Sequence, residues 1–139
     1  MDIIKQLKEE HVEIMRGFEA LKSGIVEGKS GDNDLLNELR DLKDTLVTHL
    51  ELEDKLLYPP LLNSENEEAK KLGEKFAKEM TSISPVVMIF FQKNMKKPIN
   101  DLLESSEFRK ELDGIIKAVI KRVDAEENIL FPAFEKYIK

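Results

Sequence analysis

In four separate stretches of the chain, apolar residues recur at intervals alternating between three and four, the spacing that lines one side of a helix. The first run carries Ile4, Leu7, His11, Ile14, Phe18, Leu21 and Ile25. The second carries Leu35, Leu39, Leu42, Leu46, His49, Glu53, Leu56 and Pro60. The third carries Leu72, Phe76, Glu79, Ile83, Val86 and Phe90, and the fourth Leu112, Ile115, Val119, Arg122, Glu126, Ile129 and Ala133. Sustained alternation of this kind is the core seam of a helical bundle. Between the runs lie stop signals. "EGKSGDND" (27–34) ends the first helix and offers Asn or Asp caps to the second. "SENE" (64–67) reads as a capping box, Ser64 accepting from the Glu67 backbone and Glu67 reaching back. "KKPINDLLESSE" (96–107) separates the third and fourth helices, with room for a short helical turn. Pro85 is expected to kink the third helix, and Pro59, Pro60 and Pro132 to end or bend the second and fourth. Short connections make neighbours antiparallel. The prediction is therefore an all-α, up-down-up-down antiparallel four-helix bundle, with residues 1–139 forming one domain.

The stripes are broken at matched places. His11 interrupts the first, His49 and Glu53 the second, Glu79 the third, and Arg122 and Glu126 the fourth. These positions lie at similar distances from the intervening turns, so they are expected to converge on one layer of the core. Two of the segments are also copies. "HLELEDKLLYPP" (49–60) aligns without a gap on "RVDAEENILFPA" (122–133), setting Glu126 on Glu53, Leu130 on Leu57, Phe131 on Tyr58 and Pro132 on Pro59. Arg122 stands where His49 stands, four residues before a glutamate in each copy. The repeat points to a pseudo-symmetric site.

Composition narrows the chemistry. The chain has no cysteine, which removes disulfides and thiolate metal sites and suits a reducing cytoplasm. Its formal net charge of −6 speaks against nucleic acid as a partner. The small basic cluster "KNMKK" (93–97) reads as cations at a helix C-terminus. The charge-rich opening is not expected to be a secretory leader. The longest apolar run, "PVVMIFF", is far shorter than the roughly 20 residues that cross a bilayer, so no membrane span is expected. No nucleophile motif or phosphate-binding glycine loop is present, so any enzymatic chemistry would rest on a metal.

Buried carboxylates without partners change protonation or find a cation. Three glutamates and one arginine leave the layer with two net negative charges when both histidines are neutral. A divalent metal would balance that, as might two metals with hydroxide or oxo bridges. Histidine nitrogen with glutamate oxygen suits iron or manganese, and zinc also fits. The alternative is a closed salt-bridge network around Arg122, although one guanidinium satisfies three buried carboxylates poorly.

Through "EEHVEI", "HLELEDKLLYPPL" and "EENILFPAF" the chain resembles the hemerythrin-like family of the HHE type along nearly its whole length. The resemblance implies a four-helix bundle holding a non-haem, usually di-iron, centre, with His11, His49, Glu53 and Glu126 among its ligands. It further implies oxygen binding, oxygen, nitric oxide or redox sensing, iron handling, or repair of damaged iron centres, with a small diatomic or peroxide ligand at the metal. The chain also departs from the family. Arg122 replaces the usual helix-four histidine, and the third helix has no histidine. Glu79, in "AKEMTSI", is the stripe residue able to substitute, giving an expected ligand set of His11, His49, Glu53, Glu79 and Glu126 around one or two ions. Arg122 is expected beside the metal, and Tyr58 and Phe131 near the open end of the site. Two rival functions stand beside this one: a carboxylate-rich di-iron oxidase or peroxidase, and a metal-free bundle serving as an interaction module. The last would keep Arg122 in the core, bonded to Glu79 or Glu126.

Overall fold

A computed structural model describes residues 2–26 and 32–138 of the chain. Among these residues all regular structure is helical: α1 (Ile3–Val26), α2 (Asp32–Leu52), α3 (Tyr58–Leu62), α4 (Glu67–Asn94), α5 (Ile99–Glu104), α6 (Ser106–Ala125) and α7 (Phe131–Tyr137). Helices α1, α2, α4 and α6 are the long ones, and the molecule is an all-α helical bundle. Among the described residues no helix is long and apolar enough to cross a membrane. The expected helix stop over 27–31 lies outside the described residues, as do the side chains expected to cap α2.

Helix α2 passes into α3 through a π-helical turn at Glu53–Leu57, and α6 passes into α7 through another at Glu126–Leu130. In the first, the Tyr58 N–H donates to the carbonyl of Glu53, five residues back. In the second, the Phe131 N–H donates to the carbonyl of Glu126. A proline follows directly in each copy, Pro59 and Pro132. Proline has no N–H to continue the ladder, and the widened turn sits just before that gap. Each π turn holds one residue more than an α turn, so the buried stripe moves on by one. Leu57 is fully buried while Leu56 is 43% exposed, and Leu130 is buried where Ile129 is 48% exposed. The uniform alternation had put Leu56 and Ile129 in the core. The third stripe is corrected in the same sense. Its inward path runs through the buried Phe76, Val87 and Phe90 and the half-buried Met80 and Ile83, not through Glu79 and Val86. Both paths obey three-four spacing on a 3.6-residue helix, and the one that is buried turns the charged Glu79 outward.

The cap of α4 also differs from expectation. Asn66, not Ser64, is the N-cap: its side chain accepts from the Ala69 N–H at 3.0 Å, and Ser64 Oγ accepts from the Asn66 N–H at 3.0 Å. Helix α4 continues through Pro85 to Asn94. The helical turn expected within 96–107 is α5, and Ser105 caps α6 by accepting from the Phe108 N–H at 3.0 Å. Lys93, in the last turn of α4, pairs with Glu107 at 3.3 Å and Glu111 at 3.1 Å.

The core is in two parts. One cluster gathers Ile14, Phe18, Leu21, Leu39, Leu46, Phe91, Phe108 and Val119, among others. The second gathers Leu7, Leu57, Tyr58, Leu61, Phe76, Leu130, Phe131 and Phe134. His11 falls between Leu7 and Ile14, His49 and Glu53 between Leu46 and Leu57, and Arg122 and Glu126 between Val119 and Leu130. The polar interruptions thus form a layer between two apolar clusters.

Two helical glycines should respond in opposite ways to substitution. At Gly73 a Cβ would stand 2.8 Å from Leu61 Cβ and 3.4 Å from the Leu61 carbonyl carbon, so α4 and α3 approach there only because the side chain is absent. Gly73→Ala is expected to lower unfolding free energy by about 1–3 kcal/mol through overpacking. At Gly114 nothing lies within 4 Å of an added Cβ, so Gly114→Ala should raise it by about 1 kcal/mol through helix propensity alone. Urea unfolding of the two variants checks both signs.

Candidate metal centre

Four fully or nearly fully buried side chains meet in the polar layer: His11 from α1, His49 from the last turn of α2, and Glu53 and Glu126 from the first positions of the two π turns. One ligand atom from each can be chosen so that all lie within 4.8 Å of one another. His49 and Glu53 are four apart and face the same way, which is why one helix supplies both. The two imidazole rings lie 4.7 Å apart, centroid to centroid, and His11 stacks on the buried Phe131 ring at 5.5 Å.

Both histidines are held from outside. His11 Nδ1 lies 2.6 Å from Glu127 Oε2, and His49 Nδ1 lies 2.7 Å from Glu10 Oε1. Those contacts leave each Nε2 directed inward. His11 Nε2 is 2.9 Å from Glu126 Oε1, while His49 Nε2 is 3.4 Å from Glu53 Oε2 and 3.8 Å from Glu126 Oε1. An imidazole whose Nδ1–H is tied to a carboxylate has its tautomer fixed, and its Nε2 lone pair is then available to a cation. Sequence reading missed Glu10 and Glu127. The signal was there in the doubled glutamates, "EEH" in α1 and "AEE" where α6 meets its π turn; in each, one residue joins the layer and its neighbour reaches across to a histidine.

Arg122 is buried and occupied. One Nη2 donates to Tyr58 Oη at 2.8 Å and to the Phe76 carbonyl at 2.6 Å; Nη1 donates to Glu79 Oε2 at 3.3 Å. Its Nε stands 3.3 Å from Glu126 Oε2, and its guanidinium lies 4.7 Å from the Phe76 ring centre. Glu126 is therefore shared, with Oε1 turned to the histidines and Oε2 to the arginine. Glu79 is not brought into the four-residue group: it is 48% exposed and faces Arg122 from outside. Its place on the inner path is taken by Met80. Tyr58 is buried against Arg122, and Phe131 is buried against His11, so neither marks an open mouth.

Glu53 differs from every other member. It has no exposed surface, and neither carboxylate oxygen has a hydrogen-bond partner. Burial raises its pKa, the nearby Glu126 adds to that, and His49 offsets only part, so the carboxyl is pushed up to about 8. His49 is pushed up to about 10: burial opposes its charge, but Glu126 and Glu53 together outweigh burial. For Glu126 burial would raise the pKa, yet His11, His49 and Glu53 hold it well below the usual carboxylate range. Burial, reinforced by Glu53, raises Tyr58 above the ordinary phenol range despite Arg122. Without a cation, then, burial and the neighbouring charges favour the protonated forms of Glu53 and His49. Beside it lies a cavity of about 30 Å³, bounded by the four residues, Arg122 and apolar side chains that include Met80, Ile83 and Val87. That exceeds the roughly 10–15 Å³ one water needs.

The description "Hemerythrin HHE cation binding domain" belongs to a family model that matches residues 2–134. No curated protein and no solved structure matches the chain.

The protonation pattern sets the pH dependence of the metal-free protein. Glu53 contributes stability that is fully present below its ordinary value of 4.5 and is lost as pH rises through about 8. His49 contributes stability fully present below 6.5 and lost as pH rises through about 10. Glu126 acts in the other direction, its contribution present above 4.5 and lost as pH falls. In the presence of a chelator the melting temperature should be highest near about pH 5 and decline toward alkaline pH. Glu53→Gln should flatten the part of that decline below about pH 8, as read by thermal unfolding across a buffer series.

Proposed function

The chain belongs to the hemerythrin HHE cation-binding family, and from that premise we propose that it binds a transition-metal ion through His11, His49, Glu53 and Glu126 and offers it to a small ligand. The observation that carries this reading is Glu53, a carboxylate with no exposed surface and no hydrogen-bond partner, directed at two imidazole nitrogens and a second carboxylate. A buried carboxylate in that state is costly unless a cation meets it. The donor set, two imidazoles and two carboxylates, suits iron, with manganese or zinc as competitors. Iron bound there would supply an open coordination position and a reversible change of oxidation state. That chemistry fits binding or sensing of oxygen or nitric oxide, and iron handling. The protein's own residues do the rest. Glu10 and Glu127 fix the two histidines, the two apolar clusters exclude water, and Arg122 balances the outer oxygen of Glu126.

We further infer one ion per chain. Arg122 stands in the second copy of the repeat where His49 stands in the first, and its charge already lies 3.3 Å from Glu126. A second cation would meet a guanidinium in the place of a ligand. We read the four long helices as an up-down-up-down bundle forming one domain, with α3 and α7 prolonging α2 and α6 beyond the layer.

One observation favours a second reading. Arg122 is bonded to Glu79 and lies beside Glu126, as a metal-free bundle with a polar core network would require. That reading leaves Glu53 with His49 Nε2 at 3.4 Å and no hydrogen bond to either oxygen, which makes it the weaker of the two.

Anaerobic ferrous loading followed by desalting and elemental analysis separates them. One iron per chain is expected, with loss of metal in His49→Ala and Glu53→Ala. Unchanged metal content in both variants, or no retained metal with a melting temperature indifferent to chelator, would favour the network. Glu10→Gln should weaken metal binding by about 10–100-fold while sparing the fold, because it releases the outer nitrogen of His49. Affinity should also rise with pH, since the ion displaces the protons held on Glu53 and His49. Titration calorimetry in buffers of different ionisation enthalpy would register that proton release.

A further inference from the structure

The cavity beside the centre has a counterpart on the outer surface. A groove of about 560 Å³ runs between α4 and α6. Its α4 lip is formed by Val86 and Ile89, which are 58% and 60% exposed. Its α6 bank carries Gly114 and Ala118, and the bank is low at Gly114, where a Cβ would touch nothing. The charged side chain at its edge, Glu111, is paired with Lys93 at 3.1 Å. Ile83 and Val87 line this groove and also line the inner cavity. These two side chains are what the linings of the two spaces share, and the inner lining also includes Glu53, Glu126 and Arg122.

We propose that the groove is the vestibule by which a small, uncharged, apolar molecule of two or three atoms reaches the centre, with Ile83 and Val87 as the gate. The destination rests on the metal reading above; the route rests on the shared wall. An anion passing this way would lose its hydration against apolar side chains with no compensating charge, so the gate selects against it. A diatomic loses little hydration and needs only a brief side-chain rearrangement, of the kind that occurs within the folded state. The inner cavity, at about 30 Å³, admits such a molecule and little more. Val86 and Ile89 remain exposed because they border a channel mouth, not because the stripe failed to find a partner.

Two variants test the route from its two ends. Gly114→Phe fills the groove from the α6 bank, over the outer side of the core residues Val87, Phe90 and Ile115, and Ile83→Ala thins the wall. Xenon-129 exchange spectroscopy on metal-free protein reads access to the cavity with no ion bound. A cavity signal is expected, its exchange with bulk slowed at least several-fold in Gly114→Phe and accelerated in Ile83→Ala. On ferrous-loaded protein, stopped-flow association of nitric oxide should change in the same directions, with the metal content of Gly114→Phe unchanged. No xenon signal from the cavity, or exchange rates in both variants equal to the wild type, would overturn the route. If the chain retains no iron, the metal reading fails, and the xenon rates alone decide for or against the vestibule.

Discussion

Two carboxylates with almost no exposed surface, set between two apolar clusters, are the constraint to which the rest of the molecule answers. Desolvation of such groups costs several kcal/mol apiece unless charge or hydrogen bonds return it. The chain returns it unevenly. Glu126 receives contacts from His11 and His49 on one oxygen and has Arg122 beside the other. Glu53 receives none that qualifies as a hydrogen bond and is left to hold a proton. Apolar packing above and below keeps both in place. Leu46, Leu57, Val119 and Leu130 bracket them along their own helices, so neither carboxylate can reach water without dragging a turn of helix out of the core.

The internal repeat supplies a symmetric skeleton on which the chemistry is asymmetric. Both copies place a glutamate at the head of a π turn and a proline behind it. One copy precedes its glutamate with an imidazole, the other with a guanidinium. An imidazole can surrender its proton and offer a lone pair; a guanidinium has none to offer. The layer is thus divided into a half that can accept a cation and a half that already contains one. Tyr58 and the Phe76 carbonyl hold that internal cation from behind, which gives the buried phenol its hydrogen bond.

Much of this was legible in the sequence. The four stripes give the four long helices, and the breaks in them name His11, His49, Glu53, Arg122 and Glu126, all of which the fold brings into one layer. Glu79 was misjudged because two helical paths obey the same three-four alternation from Phe76 to Phe90. Only packing against the other helices chooses the one through Met80. Leu56 and Ile129 were misjudged for a different reason: a π turn has no strong composition of its own, and a fixed period cannot anticipate an added residue. Glu10 and Glu127 lay outside any stripe. Their work is done across helices, and spacing along one helix cannot register it. The cap at Asn66 went to the residue nearer the first helical turn, a boundary choice of the kind that sequence patterns locate only to within a residue or two.

The paired π turns carry a consequence for rotational phase. Each added residue turns everything after it by about 100° relative to a regular helix, since successive residues are spaced at 3.6 per turn. Helices α3 and α7 build the second apolar cluster together, through Leu61 and Phe134. Because each turn takes up one residue, the sequence is offset by one across it while the buried face runs on, through Leu57 and Leu61 in one copy and Leu130 and Phe134 in the other. A deletion of one residue within a π turn would return it to a regular α turn and leave the residues after it on the same face, whereas a deletion in the α-helical stretch before it would carry them about 100° round. Each turn thus absorbs its own added residue, and keeps Leu57 and Leu130 inward where an uninterrupted helix of the same sequence would have rotated them away.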